Sequence, residues 1–550
     1  MSESANDDGK QVGHFRQILL WPLQLMPIRG EDIQIQRHWE LLESLGEDNP
    51  WHELADEYTA DASQFKERHY NEFVTFLPFV QRFLYGEGRS GATSSGRVSS
   101  PLRVYRREDV TAVRITPRRG DVPLTLTIAH IDLYFFYDID VVLLNVEVHA
   151  DNLPLQQVQD LLYRFGRAYP ARWEEDGHGT HCAHRVEWLS AGGSVLAVSD
   201  YEKREKFLSF VCQHRSPCIA AHWEFLLRPL VLDQSEEKGL LRYRQIEYYR
   251  MPVMGYLAVH NPHSLSRGDF IRLGLVTAAG NDRALPYAEP HIADFEQRYC
   301  YDRYWGQGCD GPSTRFMSCG QALMVVGDAA SPLFTGKEVG LLSEFRHQYF
   351  LLFMIAHMQR AALLMFSNRL AEAMDHLDIT NAESVKRFKR VIRQNFEIFL
   401  RFTHRYWFHE LSDQAQMKEL YRLCSRHLET DALFEEVKQE IYDMNQYLDS
   451  DSIRRQANTV IRLTVVTTFG LIGTVVTGVF GMNLFGYGEK TPLLQWLLFI
   501  GGLLGVTMLT FYTMIKSKRL SDFLEAISDE RLPARAKFGA LMDVWRDRKP

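Results

Sequence analysis

Cysteine is sparse in this chain, and basic residues do not outnumber acidic ones. Its 550 residues include seven cysteines, an odd number at scattered spacings, which argues against a disulfide framework and favours reduced, cytosol-facing thiols. The formal net charge is −8, so there is no general electrostatic reason to expect nucleic acid as a partner. The first apolar stretch, at residues 18–28, is interrupted by Pro22 and Pro27 and makes a poor signal peptide.

The common catalytic motifs are also lacking. The sequence contains no nucleophile elbow, no HExxH zinc motif and no GxGxxG loop. The segment Gly327–Lys337 superficially suggests a phosphate-binding loop, but Glu338 stands where that motif requires Ser or Thr. We therefore expect a protein that is not an enzyme and that carries no organic cofactor.

The region from about residue 101 to 335 has a mixed helix and strand pattern. Apolar residues alternate with other residues at 124–128 and again at 142–148, which predicts two strands that could form a hairpin. Helical spacing of apolar residues predicts a helix over 155–165. Further strands are predicted at Val253–Val259, Ile271–Val276 and Ala322–Val326. This pattern predicts an α+β domain.

Helical patterns dominate from about residue 341 to 458. Near the end of this region the apolar positions repeat at spacings of three and four, at Phe434, Val437, Ile441, Met444 and Leu448. One interpretation is a helix packing on its neighbours within the chain. The other is a stalk helix that packs against copies of itself. Since neither proline nor glycine occurs between Thr430 and Phe469, one helix could continue from here into the next segment.

Two uncharged segments follow, Leu463–Asn483 and Leu493–Ile515. Each has more than 20 residues, enough to cross a hydrocarbon core of about 30 Å as a helix. The loop between them, Leu484–Pro492, is short, so the two helices must form a tight hairpin. Basic residues cluster outside the hairpin, at Arg454, Arg455, Arg462, Lys516, Lys518 and Arg519. By the positive-inside rule, both termini are expected in the cytoplasm.

The first uncharged segment is rich in small and hydroxyl residues. Thr467, Leu471, Thr474 and Gly478 recur at spacings of four, three and four, and so share one face of the helix. This face either packs against another helix or, together with the same face of other copies of the chain, lines a lumen. A chain with two membrane helices cannot enclose a pore alone, so conduction would require an oligomer.

The first segment ends in Phe480-Gly481-Met482-Asn483 and begins with Arg462-Leu463-Thr464. An aromatic residue followed by Gly-Met-Asn at the outer end of the first of two C-terminal membrane helices resembles the signature of the CorA-like family of divalent-cation transporters. The basic residue followed by Leu-Thr at the inner end resembles the same family. The likeness is clearest over residues 455–519.

The resemblance implies a funnel-shaped homopentamer in the cell (inner) membrane, in contact with the lipid bilayer. The first membrane helix of each copy would line the pore, with a selectivity motif at its outer entrance formed by Gly481, Met482 and Asn483. Thr474 falls at a pore-lining position, and Leu471 and Leu463 fall at apolar constrictions. Mg²⁺ is the leading ion, and Zn²⁺, Co²⁺ and Ni²⁺ are the alternatives. Acidic regulatory sites that bind the cation are expected between subunits, with Glu435, Glu440 and Asp443 as candidates.

The resulting organisation has seven parts. They are an N-terminal extension at 1–100 with a Gly/Ser-rich linker at 86–100, a cytoplasmic α+β domain at 101–340, a helical stalk region at 341–458, a pore-lining helix at 459–483, an outer loop at 484–492, a second membrane helix at 493–515, and a basic cluster with a cytoplasmic tail at 516–550. The size of the N-terminal region also suits an alternative, a membrane-anchored sensor or scaffold that keeps this fold without transport.

One loop of the α+β region is unusually rich in metal-ligand residues. His178, His181, Cys182 and His184 fall within seven positions. Imidazole and thiolate groups bind Zn²⁺, although the spacing differs from the usual structural zinc sites. The loop is therefore either a metal site or a solvated or packed loop.

Overall fold

The computed structural model describes residues 10–28, 37–46, 49–54, 66–86, 101–247, 249–280, 285, 287–306, 313–378 and 381–481, together with 491–494, 496–497, 500–502, 504–509 and 512. The chain divides into two compact units, Met1–Ile441 and Tyr442–Pro550. Most of the predicted Gly/Ser-rich linker, the residues Met482 and Asn483, most of the loop between the uncharged segments and the predicted C-terminal tail lie outside the described residues.

Over the described residues, fourteen strands join in one mixed sheet. The strands are β1 (Gln11–Leu25), β2 (Trp51–Glu53), β3 (Leu102–Arg107), β4 (Ala112–Thr116), β5 (Leu124–Phe136), β6 (Ile139–Pro154), β7 (Arg185–Leu189), β8 (Val195–Val198), β9 (Val231–Leu232), β10 (Arg242–Gln245), β11 (Val253–Val259), β12 (Cys300–Tyr304), β13 (Thr314–Ser318) and β14 (Ala322–Asp328).

The helices of the described residues lie before, between and after these strands. They are α1 (His38–Ser44), α2 (Glu67–Thr75), α3 (Pro78–Tyr85), α4 (Leu155–Arg164), α5 (Arg204–His214), α6 (Ala221–Leu227), α7 (Arg267–Leu275), α8 (Glu289–Tyr299), α9 (Pro332–Thr335), α10 (Leu341–Glu344), α11 (Phe350–Asp375), α12 (Ala382–Arg405), α13 (Ala415–Leu428) and α14 (Thr430–Gly481). A short 3₁₀ turn covers Pro262–Ser264, and a π-helical turn, Phe345–Tyr349, joins α10 to α11.

The main path of the sheet runs β12-β13-β14-β11-β1-β6-β5-β4-β7-β8. The pairs β11–β14 and β9–β10 are parallel, and the other pairs are antiparallel. The predicted hairpin is confirmed as β5 and β6, and the strands predicted at 253–259 and 322–326 are confirmed as β11 and β14. The predicted helix at 155–165 is confirmed as α4. The α+β class expected from the sequence is therefore present.

Helices cover both faces of the sheet. On β1, the odd-numbered Trp21 packs against Trp223 of α6, with ring centroids 6.2 Å apart. The even-numbered Gln24 accepts a hydrogen bond of 3.2 Å from Asn368 of α11. Because successive side chains of a strand point to opposite faces, α6 and α11 lie on opposite sides of the sheet. The central strands are accordingly buried on both faces, with Val141–Val148 of β6 buried at every position.

The strand β1 comes from the segment that the sequence analysis set apart as an N-terminal extension, yet it lies in the middle of the sheet between β6 and β11. Pro22 fits there because β1 changes its partner strand at this point. β1 pairs with β11 up to Leu19 and with β10 from Leu23 onwards. Leu20 donates its N–H to Pro252 on that side. The missing N–H of Pro22, two residues on, faces the junction between the two partner strands.

The strand predicted at Ile271–Val276 is wrong, because these residues belong to α7 and its end. Ser266 caps the helix by accepting from the N–H of Asp269, and the Asp269 carboxylate accepts from the N–H of Ser266 in return. The residues of α7 are buried on all sides of the helix. The sequence therefore lacks the alternation of apolar and polar faces, at a period of 3.6 residues, that identifies a surface helix.

One helical stretch of the described residues, Leu341–Asp375, is long and apolar enough to cross a membrane by length and composition. Its most apolar window is 78% buried inside the protein. That is the pattern of a core helix, and its contacts with Gln24 of β1 and with Tyr134 of β5 agree. Apolar residues also dominate a shorter helical stretch, Ile500–Leu509, in the second unit.

The apolar repeat near the start of α14 is used within the chain. Phe434 stacks on Trp407 with ring centroids 4.2 Å apart and planes 12° apart, and it also contacts Phe399 of α12. Val437 and Ile441 are buried as well. For this part of the repeat, the structure favours packing on neighbouring helices of the same chain.

Candidate functional site

The helix α14 carries the residues predicted to line a pore. It is continuous over Thr430–Gly481, as the lack of proline and of glycine between Thr430 and Phe469 predicted. Its last 19 residues, Leu463–Gly481, extend about 28 Å at 1.5 Å per residue, close to the thickness of a hydrocarbon core. The helix ends at Gly481, the first residue of the Gly-Met-Asn motif, and Met482 and Asn483 lie outside the described residues.

The predicted pore-lining residues form one exposed stripe on α14. At about 100° per residue, this set falls within an arc of about 80° on the helix surface. Leu463 is 63% exposed and Leu471 is 67% exposed. The members of this stripe, called the α14 stripe below, are Leu463, Thr467, Leu471, Thr474 and Gly478.

The threonines of the α14 stripe have their hydroxyl hydrogens engaged by the helix itself. Thr467 donates to the carbonyl oxygen of Thr464, and Thr474 donates to that of Gly470, each at 2.9 Å. A hydroxyl group has one hydrogen to donate and two lone pairs. With the hydrogen engaged, each oxygen acts towards its surroundings only as an acceptor. The stripe thus offers a row of acceptors rather than donors.

A different face of α14 packs against the second uncharged segment. A β-carbon placed on Gly473 would stand 2.8 Å from Val506 Cγ1, so the side chain of Val506 packs against the backbone of α14 at this point. Gly473 lies about 120° around the helix from the middle of the α14 stripe. Among the described residues, the contact between the two segments therefore leaves the stripe uncovered.

The acidic candidates of α14 do not gather into a site within one chain. Glu435 forms an ion pair with Lys438 at 3.0 Å. Partial burial, followed by the charge of Glu436, raises the pKa of Glu440. Asp443 is exposed. Among the described residues, these carboxylates are not part of any cluster of three or more groups with metal-ligand spacing. Their predicted role between subunits stays a prediction.

The histidine-rich loop is split by the fold. His178 and His184 come together, with ring centroids 6.0 Å apart. His181 turns away, and its Nδ1 lies 2.9 Å from the hydroxyl of Tyr249. The thiol of Cys182 is buried, and burial raises its pKa to about 12, so it holds its proton at neutral pH.

Sequence reasoning missed one residue near these histidines. Glu202 follows β8, and its Oε1 lies 3.0 Å from Nδ1 of His184. Among the described residues, His178, His184 and Glu202 form the one group of at least three potential ligands whose ligand atoms lie within 4.8 Å of one another. Nothing in the spacing of the chain could have joined Glu202 to the loop, because β7 and β8 lie between them.

The end of α14 is thus an uncharged helical segment, Leu463–Gly481, with one exposed stripe. Residues 363–518 match the family model described as CorA-like Mg2+ transporter protein. The match confirms the resemblance that the Gly-Met-Asn motif predicted. It begins in α11, upstream of the residues 455–519 over which the likeness was clearest in the sequence. That description is of a transporter family. Comparisons with curated proteins and with solved structures found no match.

Proposed function

We propose that this chain is a CorA-type divalent-cation transporter that conducts through a pore lined by the α14 stripes of five copies. The observation that carries the proposal is the stripe itself, an exposed row of threonine, leucine and glycine that leads to Gly481. The match of residues 363–518 to the CorA-like family supports the ion class. The basic residues on both sides of the hairpin support a cell (inner) membrane location with both termini in the cytoplasm.

The chemistry of the stripe suits a cation that keeps its water. Mg²⁺ loses its first-shell waters reluctantly. The hydrogens of those waters point outward and need acceptors. Thr467 and Thr474 supply acceptors only, because their own hydrogens are bonded to carbonyl oxygens of the helix. Rings of such oxygens would stabilise a hydrated cation and disfavour an anion, whose surrounding waters present oxygen atoms outward.

The two leucines of the stripe suit a gate. Leu463 and Leu471 are eight residues apart, or about 12 Å along the helix. An apolar ring of narrow radius can stop ions by excluding water, and it opens when the helices move apart. At the outer end, the carboxamides of Asn483 would accept hydrogen bonds from the hydrated ion without removing its water. Such a weak site lets the ion leave again.

The experiment is ion uptake into proteoliposomes, with Mg²⁺, Zn²⁺, Co²⁺ and Ni²⁺ compared for the wild type and Asn483→Ala. We expect the flux to fall towards that of empty liposomes in Asn483→Ala. The matched control is Asn458→Ala, which removes the same side chain from an exposed position of α14 before the uncharged segment. The order of the four ions in the wild type identifies the substrate.

The opposite outcome is equally clear. If correctly assembled wild-type protein carries none of the four ions, with a pH gradient in either direction, transport is ruled out. The membrane-anchored sensor or scaffold is then the function to pursue.

A further inference from the structure

Two histidines and a carboxylate from separate parts of the first unit meet on its surface. One ligand atom from each of His178, His184 and Glu202 lies within 4.8 Å of those of the other two. His184 and Glu202 are already in contact at 3.0 Å. Both histidines are half-buried and Glu202 is exposed, so a solvated ion can reach the group.

The backbone holds both histidines in place. Residues Trp173 and Gly179 form a β-bridge. Within it, the N–H of Glu174 donates to the carbonyl oxygen of His178 at 2.9 Å. On the other side of the loop, the N–H of His184 donates to the carbonyl oxygen of Pro117 at 3.1 Å. The two imidazoles are thus carried on ordered backbone at each end of the loop.

The turn that bears Glu202 is fastened to the same loop. The indole N–H of Trp173 donates to the carbonyl oxygen of Tyr201 at 2.8 Å. Gly179 packs so closely that an added β-carbon would lie 3.3 Å from Cβ of Tyr201 and 2.9 Å from the ring of Pro170. These contacts hold the backbone that bears Glu202 next to the backbone that bears the two histidines, as a binding site requires.

The other two predicted ligands of the loop face other groups. Nδ1 of His181 lies 2.9 Å from the hydroxyl of Tyr249. Cys182 is fully buried in the hydrophobic core. Neither residue is needed for a site that Glu202 completes.

We propose that His178, His184 and Glu202 form a Zn²⁺ site, separate from the α14 stripe, with a water molecule in the fourth position. Two imidazoles and one carboxylate with an open position are a familiar zinc ligand set. Imidazole ligands favour Zn²⁺ and its neighbours over Mg²⁺, which prefers oxygen ligands. Tetrahedral ligands at about 2.0–2.1 Å from zinc lie about 3.4 Å apart. The ligand atoms of the three residues already lie within 4.8 Å of one another.

The consequence of binding is a cross-link between the histidine loop and the turn at Glu202. A metal that binds only the folded chain stabilises it. Above the dissociation constant, the free energy of unfolding rises with the logarithm of the metal concentration. Zn²⁺ should therefore raise the thermal midpoint of the first unit, Met1–Ile441, whereas Mg²⁺ should not. This readout does not depend on transport.

The test uses the full chain in detergent, stripped of metal with a chelator and then titrated with Zn²⁺ by calorimetry in millimolar Mg²⁺. We expect one site per chain that Mg²⁺ does not displace. His178→Gln and His184→Gln should each weaken it by at least about tenfold, as should Glu202→Gln. The matched control is His181→Gln, in the same loop, which should leave the affinity unchanged. Co²⁺ should bind the same site and give the visible absorption of a tetrahedral complex.

Two results would overturn the proposal. One is wild-type protein that binds no Zn²⁺ with Mg²⁺ present. The other is binding that survives His178→Gln and His184→Gln but disappears in Asn483→Ala, which would assign the ion to the predicted pore entrance. Glu202 is exposed, so Glu202→Gln keeps the test valid if a histidine variant fails to fold. Loss of ion flux in an otherwise Zn²⁺-binding protein would count against the transport proposal alone.

Discussion

Gly473 and Val506 pack so closely that the glycine has no room for a side chain. A β-carbon on Gly473 would lie 2.8 Å from Val506 Cγ1, whereas one on Gly478 would have no neighbour within 4 Å. We therefore expect Gly473→Ala to destabilise the pair of uncharged helices relative to Gly478→Ala by about 1–3 kcal/mol. The measurement is the thermal midpoint of each variant in detergent. Equal midpoints would mean that the helices do not pack through Gly473.

Leu471 is the apolar residue in the middle of the α14 stripe. If it closes a pore by excluding water, Leu471→Ser should admit water and raise ion leak severalfold under conditions that close the wild type. The control is Leu497→Ser, an equally conservative change at an exposed leucine of the second segment. Proteoliposome flux distinguishes the two variants. An unchanged leak in Leu471→Ser would remove this residue from the proposed gate.

The variant Phe434→Ala tests whether the apolar repeat of α14 packs within its own chain or against other copies. Its ring stacks on Trp407 within the same chain, so Phe434→Ala should lower the free energy of unfolding by about 3–5 kcal/mol. Tyr447, which is 67% exposed on the same helix, is the control, and Tyr447→Ala should change stability by less than about 0.5 kcal/mol. A Phe434→Ala protein that stays stable but loses its oligomer would instead assign the repeat to contacts between copies.

Glu247 should make stability depend on pH. Burial raises the pKa of this carboxyl from 4.5 to about 7, against the opposing charge of Arg360, whose Nε lies 3.3 Å from Oε1. The folded chain then binds the proton more tightly than the unfolded chain does. The free energy of unfolding therefore falls as pH rises from about 4.5 to about 7 and levels off above that range.

The variant Glu247→Gln lacks this titration. Relative to the wild type it should gain stability as pH rises from about 5 to about 8, by at most about 3 kcal/mol. Denaturation curves of both proteins across this range measure the difference. A difference that stays constant with pH would show that Glu247 remains ionised when folded.

Local patterns of the sequence carried the predictions that held. The hairpin β5–β6 has alternating side chains, and α14 has neither proline nor glycine between Thr430 and Phe469, so both could be predicted without knowing their neighbours. The α14 stripe is local in the same sense, because helical spacing alone decides which residues share a face. Whether that face meets lipid, another helix or an ion depends on other copies of the chain, and this cannot be read from spacing.

Long-range pairing explains what the sequence did not reveal. The segment of β1 contains Pro22 and a continuous apolar run, and only the change of partner strand at that residue makes it a central strand. The helix α7 is buried on all sides, so its residues look as apolar as a strand. Glu202 approaches His184 because β7 and β8 fold back on each other. In each of these cases the decisive neighbour is distant in the chain.

The central position of β1 also has a consequence for synthesis on the ribosome. Roughly 230 residues separate the end of β1 from its partner β11, and translation at about 5–20 residues per second takes about 10–45 s to produce them. During that time one edge of an apolar strand has no native partner. The nascent chain must therefore keep β1 shielded, by transient local collapse or by chaperones, before the sheet can close around it.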